Sequence, residues 1–348
     1  MGNFPEGKYD DVPELKTYTF GIDNSKVRYG SQLQKLKYFT TISHIKQVIE
    51  EYKPDIVHAH RVSSYGLVGA LAGYKPLVIS VWGDDVYDFP NRSFIHRAAV
   101  KGAFRRATKV LSTSRVMARE TMKYTSHPVY ETPFGVDLEV FRPRKVDSRL
   151  PEDSIVIGTV KTMETKYGID ILIKAFHKVT LLHPDLPLHL LLVGTGSKLD
   201  NYQALATSLS IADRVTFTGQ VPFEQVIDYH NMIDVFAALS VYDAESFGVS
   251  IIEAGACEKP VVVSNAGGPA EVVDHGTTGY IVPKHDVQAA ADAIARLAVD
   301  AQLRETLGKN ARAHVARLYD WNDNVKRMIA IYRAILSDTD VPFSAVTA

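Results

Sequence analysis

Two carboxylates, Glu245 and Glu253, stand eight positions apart around Ser246-Phe247-Gly248, and two lysines, Lys161 and Lys166, stand five apart in an earlier loop. Gly248 sits where a helix should begin. Glycine permits a tight turn and lets an anion reach the free amides, and the helix dipole favours a diphosphate there. Glu253 then lies one turn inside the helix, placed to accept hydrogen bonds from ribose hydroxyls. Glu245 lies just outside it, where a sugar joined to the diphosphate projects. A departing diphosphate gains negative charge, so cations beside its oxygens stabilise the transition state. Plain alternatives stand beside each: an ordinary pair of surface carboxylates, and a solvated loop charge at Lys166.

These residues need a scaffold that delivers loops to one edge. From Pro54 onward, short β-rich runs (Ile56–Ala59, Leu77–Val81, Lys109–Ser112, Val129–Tyr130) alternate with helical patterns at Gly66–Ala72 and Arg115–Tyr124. After the polar stretch Arg142–Asp153 a second series follows, with strands at Ile155–Gly158, Leu188–Val193, Val215–Phe217, Val235–Ala237, Val261–Val263 and Tyr280–Val282. Helices at Ile169–Leu182, Phe223–Asn231 and Val249–Cys257 separate them. Strand, helix, strand at this spacing predicts right-handed βαβ units and parallel sheets, and runs such as Leu188–Val193 suit strands covered on both faces. Residues 31–53 read as a leading helix. A last helix near Asn324–Leu336 places Val325, Met328, Ile329, Tyr332 and Ile335 on one face to be buried.

The stretch Glu245-Ser246-Phe247-Gly248-Val249-Ser250-Ile251-Ile252-Glu253, continuing through Lys259-Pro260 to Asn265-Ala266-Gly267-Gly268-Pro269-Ala270-Glu271, resembles the donor-site signature of retaining family-4 glycosyltransferases of the GT-B fold. The similarity extends to Ile155–Phe176, Leu191–Gly219 and Pro54–Pro143. It implies an α/β protein of two Rossmann-like domains facing across a cleft: residues 1–145 on the acceptor side, residues 153–315 binding the donor, and a terminal helix over 316–338. It implies hexosyl transfer from a nucleoside diphosphate sugar with retention of configuration, without metal or cofactor, in surface polysaccharide or glycolipid synthesis. Carried over by residue, Glu245 contacts sugar hydroxyls. Ser246, Phe247, Gly248 and Val249 hold the sugar and distal phosphate, Glu253 holds the ribose, and the base lies near Phe217 and Gln220. Phe217 reads equally well as a core strand residue. The family's second cation commonly precedes the glycine where this chain has Tyr167, so Lys166 takes the role with a local shift or Lys161 carries it alone.

The first half has family-like features with departures. His60 and Arg61 follow the first clear strand, at the edge where open α/β sheets bind ligands, and Tyr65 is close behind. In Val81-Trp82-Gly83-Asp84-Asp85, Trp82 stands where a histidine is usual. Gly83 makes the turn and Asp85 aligns with the acidic residue that orients an acceptor hydroxyl. The family's opening strand and helix are missing or atypical here, as in a truncated gene start, a fragment or an unusual variant.

Charge and composition narrow the classes. Residues 1–150 hold 23 Lys and Arg against 16 Asp and Glu, a net +7, and the remainder nets −8. A basic half suits an anionic partner. Arg97, Lys101 and Arg105 repeat every four residues in a stretch without acidic residues, a face suited to anionic lipid and to a saccharide or lipid-linked acceptor; a solvated basic helix is the plainer alternative. Nothing points to nucleic acid. The single cysteine, Cys257, excludes an intramolecular disulfide framework and suits packing. With no spanning run and no signal pattern, the expected location is the cytoplasm, with peripheral attachment to the membrane's inner face as an option. Two rival classes remain open: a non-catalytic sugar-nucleotide-binding or scaffold protein, and an epimerase of the same fold.

Overall fold

Both series of apolar runs become parallel sheets. The computed structural model describes residues 14–18, 36–147, 150–151 and 153–347. The family's opening strand and helix, and residues 31–35 of the expected leading helix, fall outside these. A 3-10 turn, Leu36–Thr41, leads into α1, Ile42–Tyr52, which stops at Lys53 in a left-handed conformation just before Pro54.

The first sheet has the order β1-β2-β3-β4, built from β1 (Val57–His60), β2 (Leu77–Val81), β3 (Lys109–Ser112) and β4 (Val129–Glu131). β1 and β2 are parallel, in register from Val57 with Leu77 to His60 with Ser80. The connections carry a π-helical turn at Arg61–Gly66 running into α2 (Leu67–Ala72), then α3 (Asp84–Tyr87), α4 (Phe94–Arg106) and α5 (Arg115–Met122). The π turn replaces the simple helix start expected at Gly66.

The second sheet has six strands in the order β10-β9-β8-β5-β6-β7. They are β5 (Ile155–Val160), β6 (Leu188–Val193), β7 (Val215–Gly219), β8 (Val235–Ala238), β9 (Val261–Ser264) and β10 (Gly279–Val282). Every neighbouring pair is parallel. The order grows one way from β5 through β6 and β7, and the other way through β8, β9 and β10. β5 and β8 therefore flank the point where the direction of winding reverses, the usual crevice for ligands in such sheets.

Among the described residues seven helices follow in and around this sheet: α6 (Ile169–Leu182), α7 (Leu199–Ser208), α8 (Phe223–Met232), α9 (Val249–Ala256), α10 (Gly267–Glu271), α11 (Val287–Val299) and α12 (Ala301–Leu318); the chain then forms α13 (Trp321–Leu336). All six residues of β6 are buried. Leu190 and Leu192 pack with Ile173, Phe176 and Ile294, while Leu191 and Val193 pack with Ile227, Ile251 and Ile252. The alternation survives inside an unbroken apolar run because both faces are covered. Cys257 is buried in the second cluster, and burial pushes its thiol up to about 12.

The terminal helix departs from expectation. Ile331 and Ala334 are its buried residues, while Val325 and Ile329 stay 38% and 40% exposed. Its packed face is rotated around the axis from the predicted stripe. Among the described residues no helix is long and apolar enough to cross a membrane. By contacts the chain forms two units. One comprises the described residues of Met1–Leu111, Thr121–Val129 and Ile335–Asp340; the other comprises those of Ser112–Glu120, Tyr130–Ala334 and Val341–Ala348.

Two glycines of the larger unit separate backbone strain from backbone crowding. Gly168 (φ 62°) and Gly219 (φ 69°) both have positive φ, but a Cβ on Gly168 would fall 1.9 Å from the Leu239 carbonyl oxygen, whereas Gly219 has open space. Gly219→Ala should cost about 1–2 kcal/mol, the left-handed penalty alone. Gly168→Ala should cost clearly more and shift the loops it separates. Urea unfolding of both variants, at matched m-value, checks the order; equal midpoints would contradict the crowding.

Candidate functional site

The carboxyl ends of β5 and β8 place Lys161 beside Glu245. After β5 the chain runs through Lys161 to a 3-10 turn, Thr165–Tyr167, and into α6 at Gly168. Two neighbouring loops clamp this segment. Lys161 N–H donates to the Val193 carbonyl and Met163 N–H to Thr195, while the Glu164 carboxylate accepts from Ser197 N–H (2.8 Å) and its hydroxyl (2.7 Å). Those two bonds hold the Glu164 carboxyl below its ordinary value. On the other side, Val241 N–H donates to the Lys166 carbonyl at 2.9 Å.

The loop after β8 carries Glu245 and ends in the cap of α9. Gly248 adopts φ 118°, where any side chain is strained, and its Cβ would fall 2.7 Å from Ile251 Cδ1. The N-cap residue of this helix, Gly248, has no side chain to cap its first amides, an arrangement that suits a ligand's oxygens. Phe247 is buried, edge-on to Phe134 (5.5 Å) and Tyr319 (5.4 Å), and so pins the turn from beneath. The glycine pair of α10 closes in from the side: Gly268 N–H donates to the Glu245 carbonyl at 2.9 Å. A Cβ on Gly268 would sit 2.2 Å from Ser246 carbonyl atoms. Glu271, at the end of α10, accepts from the N–H groups of Arg115 and Val116, both at 2.8 Å.

Across the switch point Lys161 Nζ meets Glu245 Oε1 at 2.6 Å, with the two side chains 19% and 18% exposed. Tyr167 completes the cluster. Its ring lies under both ammonium groups, 4.6 Å from Lys161 Nζ and 4.9 Å from Lys166 Nζ. The residue that breaks the family pattern therefore holds both cations by its aromatic face. Lys166 itself is exposed. Ser246 is half-buried and Val249 exposed. Glu253 lies inside α9 and its Oε2 contacts Nε2 of the buried His230 at 3.2 Å. At the end of β7, Phe217 is half-buried against the core and Gln220 is exposed. Tyr167 and His230 carry no motif, and only the fold reveals them.

In the smaller unit, the carboxyl ends of β1 and β2 hold a second cluster. His58 and His60 stack at 4.2 Å, His60 is edge-on to Trp82 at 5.4 Å, and His58 Nε2 is 2.7 Å from Ser80 Oγ. Burial lowers both histidines, His58 to about 3, so both rings are neutral at neutral pH. Arg61, strained at φ 75°, pairs with Asp84 through both carboxylate oxygens, and Tyr65 is exposed. Asp85 is wholly buried, and its oxygens accept from the amides of Trp82 (3.0 Å), Gly83 (2.8 Å) and Val62 (2.8 Å). Burial raises its pKa against the opposing pull of these amides. Asp85 thus ties the turn at Gly83 (φ 132°) to the π turn after β1, with both of its oxygens engaged by backbone amides.

Comparison with known proteins agrees with this geometry. The Glycosyl transferases group 1 family matches residues 141–314, and the Glycosyl transferase 4-like family matches residues 10–114. The D-inositol 3-phosphate glycosyltransferase of Kribbella flavida is 32% identical over 80% of this chain and 71% of its own length. The GDP-mannose-dependent alpha-(1-6)-phosphatidylinositol monomannoside mannosyltransferase of Mycolicibacterium smegmatis is 28% identical over 83% and 79%. Among solved structures, sucrose-phosphate synthase from Thermosynechococcus elongatus aligns with TM-score 0.74 and 25% identity over 87% of this chain and 80% of that one. Anabaena HepE in complex with UDP aligns with TM-score 0.74 and 22% identity over 85% and 82%. With two parallel sheets, the second wound about β5 and β8, and both family patterns matched, the chain belongs to the group 1 glycosyltransferases of the GT-B fold.

Proposed function

We propose that this chain moves a hexosyl unit from a nucleoside diphosphate sugar to an acceptor hydroxyl with retention of configuration. The observation that carries the reading is the 2.6 Å contact between Lys161 and Glu245, set at the switch point beside the glycine start of α9. In this reading the diphosphate lies against the amides of Phe247, Gly248 and Val249. Lys161 exchanges Glu245 for a phosphate oxygen, and Lys166 adds a second positive charge from the same tyrosine ring. Glu245, released, accepts the sugar's hydroxyls; Glu253 accepts the ribose's, and the base lies towards Phe217 and Gln220. The anomeric carbon–phosphate oxygen bond breaks as the acceptor oxygen bonds on the same face, and the leaving phosphate takes the acceptor's proton. Catalysis then rests on positioning and on charge at the leaving group. The lysines supply that charge, so the reaction needs no metal and no cofactor. Because Anabaena HepE was solved with UDP, UDP-sugars are the first donors to test.

The acceptor is proposed to be lipid-linked, as the phosphatidylinositol monomannoside in the name of the mycolicibacterial relative suggests. The outer face of α4 supports this. Phe94 and Ile95 are 82% and 63% exposed, and Arg97, Lys101, Arg105 and Arg106 are exposed on the same helix, with no carboxylate in its sequence. A basic face with an apolar tip suits anionic headgroups on the cytoplasmic side of a membrane.

Glu245→Gln should weaken binding of the intact donor and leave free UDP almost unaffected, while Glu253→Gln should weaken both by roughly 1.5–3 kcal/mol, the worth of a hydrogen bond to a charged group. Calorimetry with UDP and UDP-glucose separates these outcomes, and UDP release from a panel of sugar nucleotides, with and without acceptor, tests transfer itself. Turnover should survive EDTA; activity lost to the chelator and restored by Mg²⁺ or Mn²⁺ would reject the metal-free mechanism. Wild type should sediment with phosphatidylglycerol vesicles at low salt and less so as salt rises. Replacing Arg97, Lys101 and Arg105 together by Glu should cost several kcal/mol of that binding, at about 1 kcal/mol per basic residue. Equal sedimentation of the two proteins would leave α4 a solvated face and point to a soluble saccharide acceptor.

A further inference from the structure

His230 is a histidine that no motif requires, wholly buried in the last turn of α8. Its ring is 5.4 Å from that of Phe236 and 6.0 Å from that of Phe141, in the apolar cluster beneath α9. One polar contact relieves this burial: Nε2 lies 3.2 Å from Glu253 Oε2. Nδ1 has no partner. Those facts select a tautomer. A proton on Nδ1 would be a buried donor with nothing to accept it, which is costly, whereas a bare lone pair there costs less. The proton therefore belongs on Nε2, and the imidazole donates to the carboxylate.

The donated bond engages only Oε2. Among the described residues Glu253 Oε1 has no hydrogen-bond partner, and the glutamate side chain retains 12% exposure. One oxygen is thus anchored on a ring that cannot move without disturbing packed aromatics, and the other is left to receive a ligand. A glutamate free to change rotamers would lose entropy when it bound; one already held does not. The anchor is itself fixed: the neighbouring Asn231 donates to the carbonyls of Ile227 and Arg142, locking the turn that presents His230.

We propose that His230 is a positioning residue: by donating Nε2–H to Glu253 Oε2 it presets Glu253 Oε1 to receive the vicinal hydroxyls of the donor's ribose. This rests on the assignment of Glu253 to the ribose made above. It predicts that His230 governs affinity for the hydroxyls alone, and acts only through Glu253.

The test is calorimetric titration of the full-length protein with UDP, GDP and their 2′,3′-dideoxy analogues, using wild type, His230→Phe, Glu253→Gln and the double variant. Phenylalanine fills the ring's space without a donor; His230→Leu serves as a second donorless variant should the first not fold, and His230→Gln restores a donor. For the nucleotide that wild type binds, His230→Phe should lose about tenfold in affinity, equal to about 1.4 kcal/mol. It should lose almost nothing towards the dideoxy analogue, and nothing further in the Glu253→Gln background. His230→Gln should recover part of the loss. Equal losses for ribose and dideoxyribose ligands, or an undiminished loss in the double variant, would make His230 a structural core residue and overturn the proposal. If Glu253→Gln itself left affinity unchanged, or wild type bound neither nucleotide, the donor-site reading would fall first.

Discussion

The chemistry proposed for the larger unit depends on how closely backbone approaches backbone at the carboxyl ends of β5, β6 and β8. Gly168 lies against the Leu239 carbonyl, Gly194 against that of Lys161, Gly196 against that of Met163, and Gly268 against Ser246. At each place a Cβ would fall within 2.5 Å of backbone, closer than any packed side chain can sit. Only because these positions are glycine can the loop after β5 be held between its neighbours. That clamping brings Lys161 within 2.6 Å of Glu245 across a reversal in strand order. The charges are a consequence of the packing, and a looser loop would leave two solvated ions.

The charge pair in turn has a logic that its partial burial makes visible. Two opposite charges at 18–19% exposure satisfy each other. Their mutual attraction is offset by the cost of removing both from water. A ligand that offers an anion to the lysine and hydroxyls to the glutamate can replace the pair without stranding either partner. A diphosphate joined to a sugar has both features in the order the loop presents them. Tyr167 helps by giving each ammonium an aromatic face, which ties Lys161 and Lys166 to one ring.

Much of this was legible in the sequence, for physical reasons that differ by residue. Strands such as Leu77–Val81 and Leu188–Val193 match because unbroken apolar runs of that length have few other uses in a chain of alternating helices. The turn at Gly248 was legible because a glycine just before an apolar helical run marks a helix start. Tyr167 was not: it stood out only as a departure, since its role depends on where two lysines point. The partners of Asp85 were not legible, because an acidic residue after a Trp-Gly turn looks the same whether its oxygens face a ligand or three backbone amides. Val325 and Ile329 were misjudged because an amphipathic stripe says that a face exists and leaves open which neighbours meet it.

The inward turn of Asp85 shows how the smaller unit shapes its own edge. Arg61 has a positive φ with a bulky side chain, a conformation that persists only where its surroundings impose it. Two carboxylates impose it here: Asp84 grips the guanidinium, and Asp85 holds the next amide, Val62 N–H, from within the core. Asp85 is an expensive residue to bury, and three amide bonds offset that cost only while both turns keep their shape. The buried carboxylate thereby couples the π turn after β1 to the Trp82–Gly83 turn after β2, and His60 and Trp82, which flank them, keep a fixed edge-to-face relation. In the larger unit close backbone packing sets the charges in place; in the smaller one a buried charge sets the backbone.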